Sequence, residues 1–356
     1  MATRSTPGIP RRAAASESTI GVIRPRSGSD GARAEDSFSD GEGAKQPLNR
    51  RFHLNGSSVA SLVLVRYGEL ALKSAPVRRE FEHRLRQNIL AQFVREGTTC
   101  RLRADHGHVY VEADDPATAV RLLRRTFGVT SVSRAVEVPT ERAAILAALR
   151  PVAERRLRPN STFALRARRT GTHPFTSQEL ARDLGGEIFE AYRGRGVRVD
   201  LDSPEVELFV EVRGPRTYVY EDRAAGPGGL PLGVAGRVVA LVDGPRGALG
   251  AYQMMKRGCR CDWVATGDGI GLADSVLTAF DPSAPTSSAP LVTSADEALA
   301  ARLSATHADG VVLPLLVDDY GPARERWGDV VVFSPTVGLT DEEVGERWRA
   351  VAELAG

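Results

Sequence analysis

A stretch rich in glycine and proline, Ala224 to Gly233, divides this chain of 356 residues into two parts of different character. The stretch is unsuited to a helix or an inner strand, because glycine is flexible and proline lacks a backbone N–H. Upstream, helical and strand patterns alternate among many arginines. Downstream, Arg237 to Arg257 has the pattern of a buried strand, a tight loop and a helix, where a nucleotide site is expected. The length fits two or three domains.

Charge and cysteine content narrow the class of protein. Lysine and arginine number 47 against 45 acidic residues, so the net charge of +2 does not by itself indicate a nucleic-acid partner. Cys100, Cys259 and Cys261 are too few for a disulfide framework or a four-thiolate zinc site. No apolar run approaches the roughly 18 residues of a membrane span, and no signal-peptide core is present. We therefore expect a cytoplasmic protein with no membrane partner.

The upstream part predicts a tail and a first folded unit. Residues 1–57 are rich in Ser, Gly, Ala, Arg and Pro without a hydrophobic period, which predicts a disordered tail. Order is expected from Val59. Residues 58–138 follow a β-α-β-β-α-β order, which is that of a ferredoxin-like unit. Its first helix carries one apolar stripe with a period of four, formed by Val77, Phe81, Leu85, Ile89 and Phe93.

Residues 139–225 predict a second α/β unit. Alternation from Thr162 to Arg168 indicates a strand with its arginines on one face. Thr176 and Glu179 are spaced as a capping box that begins a helix. Further strands are expected at 197–201, 206–212 and 217–221. We expect these strands to form a second mixed sheet with helices on one face.

Residues 226–356 predict a third unit built on a parallel, Rossmann-like sheet. Val238–Val242 is wholly apolar, as buried parallel strands are, and a helix is expected from Ala248 to Arg257. Further strands are expected at 259–264, 311–317 and 330–333. Asp318 and Asp319 would then follow a strand at its carboxyl end, where α/β sheets place their sites. An ordinary polar loop is the alternative.

Several segments resemble a known family. They are Arg66-Tyr-Gly-Glu-Leu-Ala-Leu-Lys73, Phe163-Ala-Leu-Arg-Ala-Arg-Arg169, His173-Pro-Phe-Thr-Ser-Gln-Glu-Leu180, Val199-Asp-Leu-Asp-Ser-Pro-Glu-Val-Glu-Leu208, Gly226-Pro-Gly-Gly-Leu-Pro-Leu-Gly233 and Tyr252-Gln-Met-Met-Lys-Arg-Gly258. They are similar to segments of the tRNA 4-thiouridine synthetase (ThiI) family. The resemblance implies a ferredoxin-like domain, then a tRNA-binding THUMP domain of α/β type, then a PP-loop ATP-pyrophosphatase-like domain.

The resemblance also locates a nucleotide loop that departs from the family pattern. The family loop reads Ser-Gly-Gly-x-Asp-Ser, and the corresponding positions here are Val242, Asp243, Gly244, Pro245, Arg246 and Gly247. Such loops bind phosphate through free backbone N–H groups, a helix N-terminus and small hydroxyl groups. Pro245 removes one N–H and the Asp243 carboxylate repels phosphate, whereas Arg246 attracts it. ATP remains a candidate cofactor, but one that the altered loop disfavours.

The strongest candidates for RNA contacts are the arginines of the predicted strand. Arg166, Arg168 and Arg169 present guanidinium groups close to a helix N-terminus, which suits phosphate. A solvated strand face is the alternative reading of the same pattern. The resemblance favours RNA, and it adds the neighbouring candidates His173, Thr176, Ser177, Lys73 and Arg78.

Two other pairs of residues, one of histidines and one of cysteines, are weaker candidates for a metal site or a reactive site. His106 and His108 share a strand face, but no third ligand is spaced for a metal, so surface histidines are expected. Cys259 and Cys261 also share a face. Inert buried thiols are expected there, with a persulfide carrier as the alternative. We assign no metal site and no catalytic residue.

These observations predict a tRNA-binding THUMP protein that lacks full ATP-dependent thiolation activity. It would act as a regulator or as a binding subunit for another tRNA-modification enzyme. The alternative is an active tRNA sulfurtransferase that uses the variant loop and an external sulfur-carrier protein. A third reading is a nucleotide-free C-terminal domain that mediates a homodimer.

Overall fold

The computed structural model of the chain describes residues 52–54, 57–68, 74–105, 107–284 and 294–356. Most of the predicted tail lies outside these ranges, and so does Lys73. The end of the tail forms strand β1 (Phe52–Leu54), which pairs antiparallel with β2 (Ser57–Tyr67). Strand structure therefore begins before Val59, where the sequence pattern placed it.

The first unit has the predicted order of strands and helices. After β2 come α1 (Ala75–Arg95), β3 (Cys100–Asp105), β4 (His108–Ala113), α2 (Pro116–Leu123) and β5 (Val129–Pro139). The strands lie in the order β3-β4-β2-β5, with antiparallel neighbours, as in ferredoxin-like folds. Leu85, Ile89 and Phe93 join one buried apolar cluster with Val63 and Val65. The period of four in α1 is therefore its core face.

The second unit follows the predicted pattern with one shortened strand. Its elements are α3 (Arg142–Arg156), β6 (Thr162–Thr170), α4 (Ser177–Tyr192), β7 (Arg198–Val199), β8 (Val206–Arg213), β9 (Arg216–Tyr220) and β10 (Ala224–Ala225). Thr176 and Glu179 form the predicted capping box of α4. The strand expected at 197–201 ends at Val199, because the Asp200 side chain accepts the backbone N–H groups of Asp202 and Ser203 and begins a turn.

The two units share one sheet, so the expectation of a separate second sheet is wrong. Strand β9 pairs antiparallel with β5 of the first unit and with β8 of the second. The main path of the resulting ten-stranded sheet runs β3-β4-β2-β5-β9-β8-β6-β7. The junction lies between β5 and β9. Both strands carry a hydrophobic pattern like that of their neighbours, so the pattern does not indicate where the first unit ends and the second begins.

This sheet is strongly curved. Tyr110 of β4 and Tyr218 of β9 stack with ring centroids 4.8 Å apart, although β2 and β5 lie between them. Strands spaced about 4.8 Å apart would separate these positions by ~14 Å in a flat sheet. Helices α1 to α4 cover the outer face, while Leu62, Leu64 and Tyr220 join the two tyrosines in a cluster on the inner face. Residues of non-adjacent strands therefore contact one another across the concave inner face.

The third unit is a four-stranded parallel sheet in the order β12-β11-β13-β14, flanked by helices. Its elements are β11 (Arg237–Val242), α5 (Pro245–Lys256), β12 (Arg260–Ala265), α6 (Gly269–Leu272), α7 (Thr278–Phe280), α8 (Ala295–Thr306), β13 (Gly310–Val312), α9 (Tyr320–Trp327), β14 (Val331–Phe333) and α10 (Asp341–Ala355). The predicted parallel sheet is confirmed.

Two boundaries in this unit differ from the prediction. Helix α5 begins at Pro245 and not at Ala248, since proline is well suited to the first helical position, where no N–H is needed. The strand expected at 311–317 ends at Val312, because Pro314 cannot donate to the ladder. The helices α8, α9 and α10 were not anticipated at all.

Helix α1 connects the first unit to the third. The Asn88 side chain donates to the Leu232 carbonyl over 3.0 Å, and Gln92 donates to the Ala279 carbonyl over 3.0 Å. The Phe127 ring lies in a buried apolar cluster of the third unit. The third unit is thus held against the ferredoxin-like unit by buried polar and apolar contacts.

Among the described helices, none is both long and apolar enough to cross a bilayer.

Candidate functional site

A polar cleft of about 540 Å³ opens where the first two units meet. Its lining comes from β2, β4, β5, β6, β8 and the start of α4. The lining residues are Arg66, Tyr67, Gly107, His108, Thr130, Ala167, Arg168, Arg169, Thr170, Ser177, Glu211 and Arg213. Four arginines thus face one glutamate, so the cleft is suited to an anion.

Three of the sequence-predicted residues meet at the rim of this cleft. Arg168 and Arg169 are exposed at the end of β6, and Ser177 is the first residue of α4. β7 pairs only with Thr162 and Phe163, so this end of β6 is an edge within the described sheet. The start of α4 is already capped, since the Thr176 N–H donates to Glu179 Oε2 and the Glu179 N–H donates to Thr176 Oγ1. The two exposed arginines therefore supply the positive charge at this rim.

The other predicted RNA contacts have different surroundings. Arg166 Nε donates to Glu207 Oε1 over 2.7 Å, and Arg166 also donates to the Leu201 carbonyl over 2.8 Å. His173 stacks on Phe175, with ring centroids 5.4 Å apart. Thr176 is engaged in capping α4. The remaining two are Arg78, which lies 3.9 Å from Glu82 on α1, and Lys73, which lies outside the described residues.

The floor of the cleft is a buried charge cluster centred on Glu211. Its Oε1 accepts from Arg213 Nε over 2.9 Å and lies 3.1 Å from His108 Nε2. Its Oε2 accepts from Arg66 over 3.3 Å and from the Tyr220 hydroxyl over 3.4 Å. The four partners come from β2, β4, β8 and β9. The cluster therefore ties both units together through a single carboxylate.

The surroundings of Glu211 keep it ionised. Burial by itself would raise the pKa of this carboxyl group. The hydrogen bond and charge of His108, the charge of Arg66 and the hydrogen bond from Arg213 outweigh burial and hold the pKa of Glu211 below its usual range. The guanidinium of Arg66 also lies 4.7 Å from the centroid of the Tyr220 ring, which adds a cation–π contact.

Sequence reasoning missed this floor. Arg66 was noted only within a resembling segment, and His108 was considered only as a metal ligand. Glu211 and Arg213 carry a signal in β8, where together with Glu207 they alternate with the buried apolar residues Val206, Leu208, Val210 and Val212. Charged residues at three of the four alternate positions 207, 209, 211 and 213 indicate a polar patch on one face. That signal identifies the residues but gives no information about their partners.

The predicted nucleotide loop is a tight turn between β11 and α5. Asp243 is exposed after the last strand residue, Val242. A Cβ atom at Gly269 would lie 1.9 Å from the Val242 carbonyl oxygen and 3.0 Å from the Asp243 nitrogen. The chain after β12 thus packs directly on the loop backbone. Gly247 lies inside α5, one residue beyond Arg246, and not in an open loop.

Arg246 turns toward the start of α10. It donates to the carbonyls of Thr336 and Leu339, both over 2.9 Å, and to Asp341 Oδ1 over 2.8 Å. Its side chain is only 13% exposed. The Arg246 guanidinium, which is expected from the sequence to attract phosphate, is therefore bound to the segment before α10.

The remaining candidates are placed as follows. Cys100, Cys259 and Cys261 are buried free thiols. Asp319 lies at the start of α9 and not at a strand end, because β13 stops early. His106 lies outside the described residues. Within the described ranges, no cluster of three or more His, Cys, Asp or Glu is placed to hold a metal.

Comparison with known proteins identifies the two N-terminal units as domains of known families. Residues 62–133 match the ThiI ferredoxin-like domain, and residues 141–222 match the THUMP domain. A probable tRNA sulfurtransferase of Methanothermobacter thermautotrophicus is 39% identical over 205 residues, which are 56% of this chain and 51% of that protein. A tRNA sulfurtransferase of Pyrobaculum aerophilum is 35% identical over 202 residues, which are 56% of this chain and 40% of that protein. The match spans about half the length of these curated relatives or less.

Two solved structures share the fold. PH1313 from Pyrococcus horikoshii has a TM-score of 0.69 and 26% identity, covering 82% of this chain and 99% of that chain. A 4-thiouridine synthetase solved as a complex with RNA and bound ATP has a TM-score of 0.65 and 20% identity, covering 83% and 86%. Both alignments extend beyond the two N-terminal domains into the C-terminal sheet.

Proposed function

We propose that this chain, which joins ThiI ferredoxin-like and THUMP domains and belongs to the tRNA 4-thiouridine synthetase family, is a tRNA-binding protein with little or no ATP-dependent thiolation activity. It binds tRNA through the arginine-lined cleft. It acts by itself or as the RNA-binding partner of another tRNA-modification enzyme.

The composition of the cleft carries this proposal. Arg168, Arg169 and the N-terminus of α4 form its rim, and Arg66 and Arg213 form its floor. Guanidinium groups bind phosphate through two parallel N–H donors. A volume of about 540 Å³ has room for one or two nucleotides of a single strand. The cleft thus favours an unpaired stretch of RNA, whose neighbouring phosphates would lie along the rim.

The C-terminal loop supports the second half of the proposal. Pro245 offers no N–H at the first position of α5, Asp243 presents a carboxylate, and Arg246 is held by the segment before α10. Gly269 packs on the loop backbone. These residues do not fit an ATP polyphosphate, so we derive no reaction step through ATP.

The alternative is an active tRNA sulfurtransferase. The curated relatives carry that name, and a protein of the same fold is described with bound ATP. Under this alternative the loop would have to open and Arg246 would have to release its three partners. Sulfur would come from a separate carrier protein, because Cys259 and Cys261 are buried.

Binding of tRNA is tested by its salt dependence. Affinity should fall steeply with salt, because each phosphate contact releases counterions. The double variant Arg168→Ala/Arg169→Ala should bind more weakly, with a log–log salt slope that is smaller by about 1 to 2. Arg326→Ala/Arg347→Ala removes the same charge from exposed ion pairs of the third unit and is the matched control. If both double variants show the same salt slope, tRNA does not bind through the cleft and that part of the proposal is wrong.

A further inference from the structure

The Glu211 carboxylate is out of place in a site for an anion. It lies on the floor of a cleft whose other charged lining residues are arginines and a histidine, and it is only 6% exposed. By simple charge it should weaken RNA binding. Its contacts indicate a different role.

We propose that Glu211 is a positioning residue of the RNA cleft, holding Arg66 and Arg213 in place without touching the RNA. This inference rests on the proposed function. Arg66 reaches Glu211 from the ferredoxin-like domain, whereas Arg213 reaches it from the same strand of the THUMP domain. One carboxylate therefore sets the orientation of two guanidinium groups from different domains.

The contacts use both oxygens of the carboxylate. Oε1 accepts from Arg213 Nε, and Oε2 accepts from Arg66. A bond at Nε fixes the plane of a guanidinium group, whose five donors are rigidly arranged. The Arg66 group is fixed on its other side by Ser133 Oγ at 3.0 Å. The floor is thus oriented before RNA arrives, which lowers the entropic cost of binding.

Glu211 also connects the floor to the rim. It lies directly opposite Arg168 in the parallel register of β8 and β6. Without the Glu211 carboxylate, Arg213 would still donate to Asp105 Oδ1 over 3.2 Å, but Arg66 and Arg168 would lose the negative charge that offsets their repulsion from Arg213. Arg66 would move away from Arg213, and β8 would keep its contacts with β3 and β4 through Arg213 but would lose the ion pair with Arg66 of β2.

A matched pair of substitutions separates positioning from simple charge. Glu207 lies on the same face of β8, four residues earlier, and pairs with the half-exposed Arg166. Glu211→Gln and Glu207→Gln remove the same charge from the same strand. We expect Glu211→Gln to weaken tRNA binding by about tenfold, with a log–log salt slope smaller by about 1. Glu207→Gln should leave affinity unchanged or improve it, because Arg166 becomes available.

A second variant covers the case in which Glu211→Gln does not fold, as judged by circular dichroism. Glu211→Asp keeps the charge but shortens the reach by one methylene. It should still weaken binding and reduce the salt slope. Wild-type affinity and slope in Glu211→Asp would overturn the inference, and so would Glu211→Gln binding as tightly as Glu207→Gln.

The same titrations distinguish this inference from the proposed function. If the wild-type chain binds no tRNA, the proposed function is wrong and the inference falls with it. If the wild-type chain binds tRNA and Glu211→Gln behaves like Glu207→Gln, only the role of Glu211 is wrong.

Discussion

His108 Nε2 lies 3.1 Å from Glu211 Oε1, although three strands separate β4 from β8 in the sheet order. A flat sheet would place them ~19 Å apart. Their contact exists because the sheet curls until its ferredoxin-like and THUMP ends meet. The arginine cleft is therefore a property of the two domains together, and neither domain alone would form its floor.

Single substitutions should rank the arginines of β6. Arg168→Ala should weaken tRNA binding and lower the salt slope by about 1. Arg166→Ala should change both much less, because Arg166 is already bound to Glu207 and the Leu201 carbonyl. Fluorescence anisotropy with labelled tRNA at several salt concentrations gives both values. A larger effect from Arg166→Ala would mean that RNA contacts the outer part of β6 and not the cleft.

Loss of the Arg246 side chain should destabilise the third unit. Arg246→Ala leaves two backbone carbonyls and Asp341 without their donor, which should lower the free energy of unfolding by about 1–3 kcal/mol. Arg347→Ala, which breaks an exposed pair on α10, should change it by less than about 0.5 kcal/mol. Urea unfolding compares the two variants. Neither wild type nor Arg246→Ala should bind ATP, and ATP binding by wild type that is lost in Arg246→Ala would show that this side chain reaches the nucleotide.

The stabilising effect of Glu211 should depend on pH in one direction. Its pKa is lower in the folded chain than in the unfolded chain. Its contribution is therefore fully present above the unfolded pKa, about 4.3, and is lost as the pH falls below that value. At pH 7 Glu211→Gln should be less stable than wild type by about 3–5 kcal/mol, since it removes the carboxylate that pairs with the buried Arg66.

Urea unfolding at a series of pH values from about 5 to about 2 tests that direction, since the contribution is lost only below the unfolded pKa. The difference between wild type and Glu211→Gln should shrink at the acid end of the series. A difference that grows as the pH falls would show that the carboxyl group is protonated in the folded chain.

The three thiols should react slowly in the native chain. Burial raises the pKa of Cys100 to about 12, and it also raises the pKa of Cys259 and Cys261. Since the thiolate is the reactive form, modification by a disulfide reagent at pH 8 should require unfolding. Fast reaction of Cys259 or Cys261 in the native chain would favour the persulfide-carrier alternative.

The sequence predicted most elements because their patterns are local. The stripe of α1, the capping box of α4 and the apolar strand β11 all depend on neighbours within a few residues. The same kind of signal was present for two missed helices, since Ser294 and Thr340 each begin a capping box. The union of two expected sheets could not be predicted, because pairing of β5 with β9 depends on residues about 80 positions apart.

The site was predicted at its rim but not at its floor. Arg168, Arg169 and Ser177 lie close together in sequence and also meet in the structure. Arg66 and Glu211 are 145 positions apart, and only the curvature of the sheet brings them together. For the nucleotide loop, the sequence shows which residues depart from the family pattern. It does not show that Arg246 turns toward α10, because its partners lie about 90 positions away.

The central claim is that the cleft binds tRNA while the C-terminal loop does not support ATP chemistry. Isothermal titration calorimetry of the full chain with ATP, in the absence and presence of tRNA, tests it most directly. We predict tight tRNA binding that weakens steeply with salt and no measurable heat from ATP in either case. Micromolar ATP binding that tightens with tRNA would contradict the account and would favour an active sulfurtransferase.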